Sequence, residues 1–172
     1  MPYIRILLTC IMARLPIRVL PLTSLRRVTI AEYNDAVERI ENYISKNKGR
    51  AMTFDDNAKM HVYAGTIARY KLQQTMNTFD EEIHIIRFGD IAIATNPFEL
   101  FLNYGNKIRA RSKAKQTFLI QLSCGADGYL PTEKAEKGSH YSAYVSSGIT
   151  GHEGGKILVR ETLTHINDMF KE

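Results

Sequence analysis

Cysteine is scarce in this sequence, and the histidines are scattered. The 172 residues include two cysteines, Cys10 and Cys124, and five histidines. Two cysteines cannot build a disulfide framework, and the chain has neither a CxxC motif nor the Cys/His spacing of common zinc sites. No HxH, HExxH or HxxxH pair occurs. These absences exclude a disulfide scaffold and the familiar zinc-binding motifs.

Long apolar runs are also missing. The longest, Ile6 to Ala13, is far too short to span a bilayer. Arg5 ahead of this run gives a weak likeness to a signal peptide, but Arg14 and Pro16 follow at once and no small-residue cleavage site is present. We therefore expect the run to be a buried strand, and the sequence leaves the cellular compartment open.

Acidic residues are absent from residues 1–27, which contain five arginines. The charge of this basic N-terminal strand region alone equals the net charge of the chain, +5, so positive and negative charges balance in the remaining residues. A basic segment can contact nucleic acid or an anionic membrane. The sequence has no basic motif interleaved with aromatic residues, the pattern that favours nucleic-acid binding. We expect a solvated edge strand and no nucleic-acid partner.

Apolar periodicity predicts alternating strands and helices. Thr29 and Glu32 form a capping-box pattern ahead of an amphipathic helix at 30–46. Internal repeats and low-complexity linkers are absent, so the sequence predicts a single α/β domain over residues 1–172, with a mixed β-sheet flanked by helices; an α+β arrangement stays open. The other predicted elements are an extended segment at 3–22, helices at 55–75, 132–137 and 156–170, strands at 83–88, 91–95 and 116–123, and an acidic run at 80–82 that separates two elements.

Two strand ends carry candidate site residues. Asn96 and Pro97 follow a strand and predict a helix that starts with Asn96 as N-cap. Glu99, at the third helical position, either bonds the N-cap backbone in a capping box or projects a carboxylate into a cleft. Tyr129 lies in a Gly-rich loop and either packs on the core or serves as a metal ligand or oxyanion donor.

The loop predicted at 124–155 holds the other candidates. Tyr141 and Tyr144 lie in a polar setting like that of Tyr129, and His140 and His152 are the local histidines suited to be bases or metal ligands. Cys124 follows a strand, but the G-x-S-x-G motif of a nucleophile elbow is absent. We expect Cys124 to be a small buried residue.

Five stretches, at 86–101, 108–112, 116–118, 128–132 and 138–141, match a known family pattern. They resemble the neutral/alkaline non-lysosomal ceramidase-like family, most closely its bacterial members, over about residues 14–170. The resemblance implies the C-terminal half of that family's catalytic domain. It implies a zinc-dependent amidase that cleaves an N-acyl, sphingolipid-like substrate, with Glu99 and Tyr129 as zinc ligands and Tyr141 as a catalytic residue at the amide. Members of the family are often secreted.

The sequence departs from the family in its metal ligands. The two histidine ligands and the active-site Ser and Arg come from an earlier part of the family's domain, and the family's Asn-Gly-Tyr is here Cys124-Gly-Ala126. We therefore expect the chain to be inactive and without zinc by itself, unless His140 or His152 substitutes. A homo-oligomer or an N-terminal partner chain would complete it. The alternative hypothesis is a non-catalytic oligomeric or ligand-binding module.

Overall fold

The computed structural model of the protein describes residues 18–22 and 25–171. The buried strand predicted at 6–13 and most of the arginine-rich region lie outside these residues. The strands are β1 (Arg18–Leu22), β2 (Phe79–Ile83), β3 (Ile85–Phe88), β4 (Ile91–Thr95), β5 (Glu99–Leu100), β6 (Gln116–Ile120) and β7 (Tyr129–Leu130). The helices are α1 (Ile30–Lys46), α2 (Phe54–Leu72), α3 (Leu102–Arg111), α4 (Glu133–Lys137) and α5 (His152–Met169), with short 3-10 turns at Tyr141–Ala143 and Val145–Ser147.

The predicted α/β class is confirmed, with a mixed sheet of three strands in the order β3-β4-β6. Strands β3 and β4 are antiparallel around the predicted Gly89-Asp90 turn, where Gly89 has a φ of +59°. Strands β4 and β6 are parallel. Two further pairs are separate: β1 with β2, antiparallel, and β5 with β7, parallel.

The α1 prediction is confirmed at both ends. The Thr29 hydroxyl accepts the backbone N–H of Glu32, and the Glu32 carboxylate accepts the backbone N–H of Thr29. Helix α2 begins with the same reciprocal cap, formed by Thr53 and Asp56. Because these bonds involve residues only three apart, the sequence alone suffices to predict them.

Helices α3 and α5 cover the sheet and enclose the core. Helix α5 begins four residues earlier than predicted, so the segment 152–155 is its first turn and not a loop. Gly155 in this turn allows close packing, since a Cβ there would lie 2.3 Å from the Tyr104 hydroxyl. Among the described helices, none has the length and apolarity needed to cross a membrane. Core side chains include Ile83, Ala92, Phe98, Ile108, Leu130, Leu158 and Ile166.

The acidic run does not separate two elements as predicted, because it lies inside β2. Strand β2 pairs with β1 in a register that places Asp80 opposite Pro21 and Glu82 opposite Val19. Glu81, the middle acid, is only 3% exposed. Strand pairing here overrides the low strand preference of acidic residues.

Candidate functional site

The candidate site lies where the parallel strands β4 and β6 end. The Asn96 N–H donates to the carbonyl of Ile120 at 2.9 Å, and the Ser123 N–H donates to the carbonyl of Asn96 at 3.0 Å. The Asp127 N–H donates to the carbonyl of Pro97 at 3.1 Å. These bonds hold the two post-strand segments side by side, at the sheet edge where α/β proteins commonly place polar sites.

Asn96 and Pro97 form a turn and do not start a helix. The Asn96 side-chain oxygen accepts the Phe98 N–H at 3.1 Å, an Asx turn that buries Phe98 completely. Helix α3 starts only at Leu102. The predicted capping-box role of Glu99 is therefore wrong, because Glu99 belongs to β5 and its N–H donates to the carbonyl of Gly128 at 2.9 Å.

The structure brings Glu99, Tyr129 and Tyr141 together, and we call them the oxygen trio. Glu99 and Tyr129 are direct partners in the parallel β5–β7 pair, so their side chains leave neighbouring strands on the same face. The Tyr129 and Tyr141 hydroxyl oxygens are 2.8 Å apart. Their rings meet edge to face, with centroids separated by 5.6 Å. Tyr141 is 67% exposed, so the trio opens to solvent.

The trio keeps Tyr129 protonated. The hydrogen bond with the Tyr141 hydroxyl, followed by the nearby Glu99 carboxylate, raises the pKa of Tyr129 above its ordinary value. At neutral pH the cluster thus offers the neutral Tyr129 phenol beside the Tyr141 hydroxyl and the Glu99 carboxyl group. Such groups can donate to a carbonyl oxygen, accept an amide N–H, or bind a cation that prefers oxygen ligands.

The two histidines named as substitute ligands lie in different settings. His140 is exposed and precedes the 3-10 turn that begins at Tyr141. His152 has both ring nitrogens occupied: Nδ1 lies 2.7 Å from Glu136 and Nε2 lies 3.0 Å from Glu153. Over residues 18–22 and 25–171, no group of three His, Cys, Asp or Glu ligand atoms lying within 4.8 Å of one another includes Glu99, His140 or His152.

The donors of the oxygen trio fit only part of a catalytic zinc site. Such a site takes three protein ligands, and histidine is normally among them. Glu99 and Tyr129 supply two oxygen atoms on neighbouring strands. In the part of the chain that the structure describes, no imidazole joins Glu99 in a metal-ligand group. By themselves, these residues do not form a complete zinc site.

Two glycines hold the Tyr141 segment against β7, and sequence reasoning missed both. Gly128 and Gly148 form an isolated antiparallel bridge. A Cβ on Gly148 would lie 2.1 Å from the Tyr129 carbonyl oxygen, and one on Gly128 would lie 2.4 Å from the Ser147 carbonyl oxygen. The buried guanidinium of Arg69 donates to the carbonyls of Gly148 and Ile149. The backbone near Tyr141 is therefore fixed from two sides.

A second cluster, Glu82, His84 and Cys124, also went unpredicted. The His84 Nε2 atom lies 2.9 Å from the Glu82 carboxylate, and its Nδ1 atom lies 3.7 Å from the Cys124 sulfur. Cys124 is exposed, so the expectation of a small buried residue is wrong. The sequence signal available was a cysteine placed directly after the strand predicted at 116–123.

A carboxyl pair, Glu81 and Asp127, flanks these clusters in the sequence: Glu81 precedes Glu82, and Asp127 lies between Cys124 and Tyr129. Glu81 is buried in β2, and one of its carboxyl oxygens has no hydrogen-bond partner. Burial, reinforced by the neighbouring Asp127 carboxyl, raises the pKa of Glu81 to about 8.

Comparison with known proteins leaves the family open. No protein-family model, curated protein or solved structure matches this chain.

Proposed function

We propose that this chain contributes the C-terminal half of an amide-hydrolase site of the ceramidase-like kind. In the complete site, Glu99 and Tyr129 are two of the ligands of a zinc ion and Tyr141 contacts the substrate amide. The observation that supports this proposal is the oxygen trio itself. Three residues that the resemblance names one by one, from three separate segments, meet at one exposed cluster.

The substrate of this proposal is an N-acyl amide, as in ceramide. The exposed Tyr141 hydroxyl, 2.8 Å from the Tyr129 hydroxyl, is a donor for the carbonyl oxygen of such an amide. Donors that point at this oxygen stabilise the negative charge it gains in the transition state. Glu99, paired with Tyr129, is the carboxylate that holds the metal beside it.

The histidine ligands that the oxygen trio lacks imply a partner chain. Because the trio supplies no imidazole, an N-terminal chain or a second copy of this chain must supply the histidines of the complete site. The chain alone is then expected to bind zinc weakly and not to hydrolyse amides. The alternative, a non-catalytic ligand-binding module, predicts that Glu99 and Tyr129 have no role in metal binding.

Zinc titration by calorimetry tests the proposal. All variants carry Cys10→Ser and Cys124→Ser, so that no thiol competes for the metal. We expect weak stoichiometric binding in this background, and a loss of affinity of about 10-fold or more in Glu99→Gln and in Tyr129→Phe. Glu38→Gln and Tyr70→Phe, which change the same residue types elsewhere, serve as matched controls and keep the parent affinity. Equal affinity in all five proteins would overturn the proposal and favour the module.

A further inference from the structure

We propose that Cys124, His84 and Glu82 form a nucleophile, a base and an orienting carboxylate, and that Cys124 accepts acyl groups from uncharged activated esters. The inference concerns a different cluster from the oxygen trio and does not depend on zinc. Its basis is that the two nitrogens of one imidazole ring face a thiol and a carboxylate, respectively. That linear order is the one in which nucleophilic thiols and hydroxyls are activated in hydrolases.

The ring of His84 is held in one orientation. Its backbone N–H donates to the Thr95 hydroxyl oxygen at 2.9 Å, and its carbonyl accepts the Thr95 N–H at 2.9 Å. The Glu82 carboxylate, 2.9 Å from Nε2, favours the neutral tautomer that has its proton on Nε2 and its lone pair on Nδ1. Nδ1 faces the Thr95 hydroxyl at 3.2 Å and the Cys124 sulfur at 3.7 Å. It is therefore the atom placed to take the thiol proton.

Cys124 is accessible to a substrate. The residue is exposed and adopts a φ of +62°, in the segment that follows β6. The side chain of His84 is 18% exposed and that of Glu82 is 44% exposed. The thiol can thus meet an acyl carbon in solvent, while its base is sheltered from water.

The arrangement favours acyl transfer over metal binding. The three ligand atoms lie within 4.8 Å of one another, as a metal would require. A metal takes only one nitrogen of a histidine, however, and the second nitrogen then bonds an outer group. Here the thiol and the carboxylate face opposite nitrogens of the His84 ring, which is the geometry of proton transfer through the ring.

Acidic neighbours select the substrate. Glu82 faces the His84 ring, and Asp80 lies exposed on the same strand. A negatively charged ester is repelled by this surface. The acyl donor that suits the cluster is a neutral ester with a good leaving group.

The proposed reaction balances in two steps. In the first, the Cys124 thiol proton moves to His84 Nδ1, a sulfur–carbon bond forms at the ester carbonyl, and the carbon–oxygen bond to the leaving group breaks. The leaving alkoxide takes the proton from the imidazolium. In the second, water attacks the thioester, His84 accepts its proton, the carbon–sulfur bond breaks, and the proton returns to sulfur. Glu82 accepts the hydrogen bond of the Nε2–H group throughout, without taking its proton, and stabilises the charged ring.

Acylation by p-nitrophenyl acetate tests the inference, with Cys10→Ser as the parent protein. We expect a stoichiometric burst of nitrophenolate and an acetyl group on the peptide that contains Cys124, found by mass spectrometry. His84→Gln should slow the burst by about 100-fold, the lower part of the range for general-base catalysis. Glu82→Gln should slow it by at least about 10-fold. His61→Gln, an exposed histidine on α2, is the matched control and should leave the rate unchanged.

Two results would overturn the inference. One is a burst of the same size and rate in Cys124→Ser; the other is unchanged acylation of Cys124 in both His84→Gln and Glu82→Gln. Far-ultraviolet circular dichroism shows whether each variant is folded. Because Glu82 is exposed, its substitution keeps the test valid if His84→Gln does not fold. The zinc titration of the oxygen trio uses the variant that lacks both cysteines, so its outcome is independent of this result.

Discussion

Replacing Gly148 by alanine is expected to lower the free energy of unfolding by about 2 to 3 kcal/mol, the upper part of the range for overpacking. The φ of Gly148 is −161°, an extended value open to any residue, so backbone strain is not the cause. The cause is steric, since the new Cβ would lie 2.1 Å from the Tyr129 carbonyl oxygen. That oxygen belongs to backbone on β7, which cannot move without breaking the pairing with β5.

Urea unfolding measures this loss, and the melting temperature should fall by roughly 4 to 10 °C. Gly138→Ala is the matched control. A Cβ on Gly138 meets its nearest atoms only at 3.4 Å and the backbone there has ordinary dihedral angles, so its substitution should cost little. If Gly148→Ala were as stable as Gly138→Ala, the close approach of the Tyr141 segment to β7 would be contradicted.

The second large effect is a fall in stability as pH rises, caused by Glu81. Its pKa is about 8 in the folded chain, against 4.5 for the unfolded side chain. Between these values the folded chain binds more protons than the unfolded chain, so stability decreases with increasing pH. The stabilisation is complete below about pH 4.5 and is lost as pH rises through about 8. At about 1.4 kcal/mol per pH unit over this interval, the loss is on the order of 5 kcal/mol.

Glu81→Gln separates this effect from the other titrating groups. The amide stays neutral at every pH, so the variant should lose the downward slope between pH 5 and pH 9 and should be more stable than the parent at pH 9. Denaturant unfolding at several pH values gives the slope directly. Glu38→Gln, at an exposed position on α1, is the control and should keep the parent's slope. If the unfolding free energies of Glu81→Gln and the parent had equal slopes against pH, the raised pKa of Glu81 would be contradicted.

The sequence predicted the elements that depend on near neighbours. The capping box of α1 and the Gly89-Asp90 turn form within four residues, so the sequence alone contains their causes. The helix predicted to start at Asn96 and Pro97 did not form there, because the pairing of β5 with β7 overrides the local preference. Phe98 is buried completely and Glu99, in β5, pairs with β7, and neither event is visible in the local pattern.

The candidate site shows the same division. The resemblance named Glu99, Tyr129 and Tyr141, and the structure places them together, but their roles remain predictions. His84 and Cys124 are 40 residues apart and match no spacing motif, so only the fold brings them together. The bridge between Gly128 and Gly148 was likewise hidden, because a glycine's need for close approach depends on the distant backbone it meets.

The central claim is that Glu99 and Tyr129 bind one metal ion, and Fe³⁺ reports on it most directly. Ferric iron prefers oxygen ligands, and a phenolate bound to it gives a visible charge-transfer band that zinc lacks. In the background without cysteine, we predict such a band on titration with Fe³⁺, retained in Tyr70→Phe, weakened in Glu99→Gln and absent in Tyr129→Phe. A band of full strength in Tyr129→Phe would contradict the claim.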